Sequence, residues 1–158
     1  THNANSESFT KSLGYFIKNT KVALTVFYSG RDNISDGIVF NDATVSKNII
    51  SEVISSNCCG EPKVTFINDS IDGGSVFDID GCKNVVSFSV IKTDNNFRHL
   101  KEDKSSHGVF TYYFCKFLSE KPNISPKKLI EEINPLLRRF NENAIYEAKF
   151  QNNHYFQN

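Results

Sequence analysis

Three nearly continuous β-prone runs constrain this chain more than any other feature: Val22 to Tyr28, Val64 to Ile67 and Val85 to Ile91. Runs that do not alternate apolar with polar residues suit strands covered on both faces, as in parallel sheets. Between and around them the apolar residues recur at helical spacing. Phe9, Leu13, Phe16 and Ile17 form one stripe after a polar Asn5-Ser6 start. Val45, Ile49, Ile50, Val53 and Ile54 form a second, and Phe110, Tyr113, Phe114, Phe117 and Leu118 a third. Strand and helix in alternation predict an α/β domain, a mainly parallel sheet with helices on both faces in three layers. A chain of 158 residues suits one domain, residues 1–158, with no linker or repeat inside it.

Smaller signals fill in the ends of these elements. Gly37 to Phe40 reads as a short strand after a turn region, and Ser105 or Ser106 as the N-cap of the third helix. The last helix has Ser125 as its cap, Pro126 at its first position and a stripe of Leu129, Ile130, Ile133, Leu136, Leu137 and Phe140. Pro135 is expected to kink it near Glu131, because the proline ring clashes with that carbonyl. Ala144 to Phe150 reads as a terminal edge strand, and Lys101 to Lys104 as an exposed charged loop.

Composition narrows the function. Eighteen Lys and Arg balance eighteen Asp and Glu, which offers no broad electrostatic footprint for nucleic acid or an anionic membrane. No stretch nears the ~18 apolar residues of a membrane-spanning helix. The four cysteines, Cys58, Cys59, Cys82 and Cys115, have no metal or redox spacing, and Cys115 falls inside an apolar helical pattern where a thiol packs as a small hydrophobe. They are expected to be reduced, in a cytoplasmic compartment. His2, His99, His107 and His154 are scattered, so neither a metal nor a cofactor is expected.

In open parallel sheets the working residues lie at the carboxyl ends of strands. Two such ends stand out here. The first carries Tyr28-Ser29-Gly30-Arg31-Asp32 and the second Asp69-Ser70-Ile71-Asp72-Gly73-Gly74. Further on come Lys83 to Ser89, Thr93-Asp94-Asn95 and His107-Gly108-Val109-Phe110-Thr111-Tyr112-Tyr113. Taken in this order, the motifs resemble those of the caspase-like cysteine proteases, the metacaspases and their bacterial relatives. In that family the first strand ends in Tyr-Ser-Gly-His-Gly and the second in Asp-Ser-Cys-His-Ser-Gly. The resemblance implies the caspase-like three-layer fold over most of residues 6–150. It also implies that the family's base and nucleophile would stand at Arg31 and Ile71.

Neither residue can perform that chemistry. Ile71 has no nucleophilic atom, and the Arg31 guanidinium stays charged at any ordinary pH. Asp32 replaces the glycine that, by the resemblance, helps form the oxyanion hole. Loss of the nucleophile in a comparable site costs on the order of 10⁶ in turnover. Ser70 is one residue away, but adjacent side chains at a strand end point in different directions. The resemblance assigns Asp69 to the acid before the family's cysteine and Asp94 to an acid in a later loop, so Asp69, Ser70, Asp72 and Asp94 are the candidate binding residues. Two readings of the groove stay open. It holds a basic peptide without cutting it, or Arg31 pairs with Asp69 or Asp72 and plugs it.

The family's first central strand precedes the segment seen here, so a protein partner or a missing N-terminal segment is expected to complete the sheet. The function expected from the sequence is a catalytically dead caspase-like subunit with a regulatory or structural role, binding a basic peptide segment or an active paralogue. The alternatives are a caspase-clan peptidase with a displaced nucleophile and a doubly wound binding domain unrelated to proteases.

Overall fold

The computed structural model describes residues 5–30, 32–33, 37–58, 63–70, 77, 84–92, 99–102 and 105–149, of which 32–33, 99–102 and 105–107 are described in the backbone alone. Asn5 opens the first helix, its side chain accepting the Ser8 N–H at 2.8 Å. Helix α1 then spans Ser6–Asn19 and strand β1 Ala23–Gly30. Short strands β2 (Asp32–Asn33), β3 (Gly37–Val39) and β4 (Thr44–Val45) form a small antiparallel sheet in sequence order. Ser46 caps α2 (Lys47–Asn57), and β5 (Lys63–Ser70) and β6 (Val85–Lys92) follow. A hairpin of β7 (His99–Glu102) and β8 (Ser105–Gly108) leads into α3 (Val109–Glu120). Ser125 caps α4 (Pro126–Leu137), a 3-10 turn occupies Arg138–Phe140, and β9 (Glu142–Lys149) closes the described chain.

The main sheet has the order β1-β5-β6-β9. β1, β5 and β6 are parallel, and β9 runs antiparallel to β6. Alternation along the strands sends the two sets of side chains to two cores. Leu13 and Ile17 of α1 and Ile50 and Ile54 of α2 cluster with Val64, Phe66 and Val85. On the opposite face Phe110 and Phe114 of α3 and Leu129, Ile133 and Leu137 of α4 cluster with Val86, Phe88 and Val90. β6 lies between both layers, and Val85 to Val90 are all buried, as the apolar run predicts.

The expected α/β architecture is therefore present, with differences that have local causes. Val22 to Tyr28 was expected as a strand buried on both faces, yet among the described residues β1 pairs only with β5 and alternates exposed with half-buried residues. Val22 is 81% exposed and Phe27 50%. Asp69 and Ser70, expected in a loop, are the last residues of β5, paired in register with Ser29 and Gly30. Ser105 and Ser106 are not helix caps: they lie in β8, and the N-cap of α3 is Gly108, which makes no side-chain capping bond. Lys101 and Glu102 belong to β7 rather than to a loop. Cys115 is exposed instead of packed, whereas Cys58 packs partly against the core. Helix α4 runs through Pro135, which falls in its last turn, and tightens into the 3-10 turn just beyond.

Gly37 fixes the small sheet. Its φ is +118°, and a Cβ there would overlap the Val45 carbonyl oxygen. Gly37→Ala is expected to lose about 1–3 kcal/mol from backbone strain alone, read as a lower urea midpoint at unchanged m-value. At the other end of this unit, the Ser6 hydroxyl and N–H both donate to Asp42, tying α1 to the β3–β4 turn and holding the Asp42 carboxyl below its ordinary range.

Candidate functional site

The carboxyl ends of β1 and β5 lie side by side because the strands are parallel and in register. Gly30 pairs with Ser70 and Ser29 with Asp69. The two sequence motifs are thus brought to one edge of the sheet. Arg31, Ile71, Asp72 and Asp94 lie outside the described residues. Asp32 is placed by its backbone in β2, opposite Ile38. Ser70 is fully buried at the end of β5.

Asp69 is the best-defined residue of this edge. Its carboxylate accepts the Thr111 backbone N–H at 3.3 Å and the Thr111 hydroxyl, and the Lys92 ammonium lies 3.5 Å away. Thr111 is the third residue of α3, where an N-cap oxygen ordinarily binds. Gly108 supplies no such oxygen, so Asp69 performs the capping from another element and places its negative charge at the positive end of the helix. Gly108 also makes room for it: a Cβ at that position would overlap Asp69 Oδ2.

Lys92 extends the cluster. It ends β6, and its ammonium lies 3.9 Å from Glu142, the first residue of β9. The Asp69, Lys92 and Glu142 side chains are each at most 2% exposed. Because β9 is antiparallel, its start meets the ends of β5 and β6, so four elements converge on one buried ionic cluster. Asp69 is therefore engaged by Thr111 and Lys92 of its own chain. The sequence reading selected Asp69 but missed Lys92 and Glu142. Each sits at a strand terminus, where charge is usual and no periodicity signals burial. Thr111 was visible within Gly108-Val109-Phe110-Thr111-Tyr112, although its partner was not.

The arrangement holds buried charges together and anchors the start of α3. Among the described residues no three His, Cys, Asp or Glu side chains are grouped as a metal would require. Likewise, no helix among them is long and apolar enough to cross a membrane. A scan against protein-family models and searches of curated proteins and of solved structures returned no match.

Proposed function

We propose that this chain is a catalytically inactive relative of the caspase-like proteases, acting as a regulatory or structural subunit that binds a protein partner. One observation carries the reading: the in-register pairing of Gly30 with Ser70. It makes neighbours of the two strand ends at which the family's histidine and cysteine would follow, and here the following residues are Arg31 and Ile71. The parallel β1-β5-β6 order with helices on both faces is compatible with the caspase-like layering. Binding of a basic peptide remains part of the proposal, but at Asp69 it would compete with Lys92, 3.5 Å away. A protein partner docking elsewhere meets no such competition and is the favoured form of the proposal.

The test is a cleavage assay on Arg- and Lys-containing peptides. The unaltered chain is expected to give no turnover above the blank, since removal of the nucleophile alone costs on the order of 10⁶. Turnover that Ser70→Ala abolishes would overturn the reading in favour of a displaced nucleophile. Gain of cleavage on combining R31H, D32G and I71C would strengthen it.

A further inference from the structure

Among the described residues, β1 lies at the edge of the main sheet and presents a row of outward backbone hydrogen-bonding groups. Lys63 N donates to the Val22 carbonyl at 3.2 Å, so Val22 faces β5. The N–H and C=O of one strand residue point to the same side, and the side alternates along the strand. Leu24, Val26 and Tyr28 therefore also face β5, while Ala23, Thr25, Phe27 and Ser29 turn theirs the other way. Among the described residues no strand pairs with β1 on that side. These four residues are also the exposed ones of the strand.

The flank of this edge is apolar. Helix α1 borders it, and a groove of about 440 Å³ lies between Phe9, Leu13 and Phe16 of the helix and Leu24, Val26 and Phe27 of the strand. Tyr15 is 64% and Phe16 53% exposed, with their rings 5.6 Å apart. An edge strand bordered by exposed aromatic residues is a template for another strand, and natural proteins ordinarily blunt such edges.

Charge argues against a second copy of the chain as the occupant. Residues 6–22 carry Lys11, Lys18 and Lys21 against the single acid Glu7, which Lys11 already engages. Two β1 edges paired about a twofold axis would bring these basic borders together, and facing like charges oppose pairing. We propose that the β1 edge is a docking site for an extended strand of a partner protein, one with alternating large apolar side chains and an acidic residue toward α1. Main-chain bonds would supply the affinity and the groove the selectivity, as in strand addition elsewhere. The proposal gives a location to the partner invoked above, but it does not depend on the inactivity of the loops.

The experiment uses the full chain and a blocked octapeptide alternating Val with Thr and ending in Glu, with a Lys-ended peptide as control. Amide exchange is read residue by residue. The Glu-ended peptide is expected to slow exchange at Ala23, Thr25, Phe27 and Ser29 by at least about tenfold, equivalent to roughly 1.4 kcal/mol, and the Lys-ended one to do less. Thr25→Pro removes an outward N–H and leaves the β5 ladder intact, because proline is tolerated where the N–H faces away from the sheet. It should abolish the protection while circular dichroism is unchanged. Phe27→Asp, which sets a negative charge in the groove against the Glu-ended peptide at a half-exposed side chain, repeats the test should Thr25→Pro not fold. Protection elsewhere, or equal protection in both variants, would overturn the proposal. So would a concentration-dependent dimer that Thr25→Pro dissolves, since the occupant would then be a second copy. The cleavage assay reads the inactivity of the loops separately, so either idea can fail alone.

Discussion

Asp69→Ala is expected to lower the stability of the fold by about 3–5 kcal/mol, the range seen when one partner of a buried ion pair is removed. The loss has two sources. Lys92, whose side chain is 2% exposed, is left in the interior with one carboxylate fewer near it. The N-terminus of α3 also loses the acceptor of the Thr111 N–H. For a chain of this size each kcal/mol shifts the melting temperature by roughly 2–4 °C, so a fall of about 6–20 °C is expected. Asp69→Asn with Lys92→Met should recover part of the loss, because an apolar replacement of a buried pair can be nearly neutral. A double-mutant cycle checks this, and additive effects of the two substitutions would exclude coupling. If Asp69→Ala instead moved the melting temperature by less than about 2 °C, the carboxylate would not be structural. The idea that it is held ready for a basic ligand would then regain force.

Phe77→Ala is expected to cost a similar amount, about 3–5 kcal/mol, for a different reason. Phe77 is fully buried and stacks on Phe66 of β5, with ring centroids 4.6 Å apart and planes inclined by 17°. Truncation removes the apolar burial and the ring pairing together, and the pairing alone is worth about 0.5–1.5 kcal/mol. The neighbours cannot easily close the gap, since Phe66 is held in the β5 ladder and Val64 and Ile54 beside it are packed to 1% exposure. Phe77→Leu, which keeps most of the volume, should lose much less, and denaturant unfolding of both variants measures the difference. Equal losses would mean that ring stacking rather than volume holds the site.

These two residues also mark where the sequence was legible and where it was not. The uninterrupted run Val85-Val86-Ser87-Phe88-Ser89-Val90 announced a strand covered on both sides, and β6 is that strand. The similar run Val22 to Tyr28 announced the same but lies at the edge of the sheet among the described residues, because apolarity fixes what a strand wants to bury but not how many neighbours it finds. Ser125-Pro126 located the start of α4 through its own local chemistry. Local chemistry misled at Ser105 and Ser106, since the acceptor for α3 comes from β5, 42 residues away from Thr111. No window of sequence contains both. Lys92 and Glu142 were overlooked for the same reason: their burial depends on β9 reversing direction against β6. Phe77 was passed over because it lies outside every periodic segment.

The buried cluster has a further consequence, for the way the chain folds. Its members come from β5, β6, α3 and β9, elements that follow one another over most of the described chain. Contacts so distant in sequence form late, because closure of the intervening chain must precede them. An assembly lacking any one of the four elements would shield charged groups from water without completing their contacts. Partly assembled forms are thereby penalised relative to both the unfolded and the finished state, which favours all-or-none unfolding of the sheet with α3. The ionic cluster then acts less as glue than as a completion signal, making β9 a condition for the stability of β5, β6 and α3.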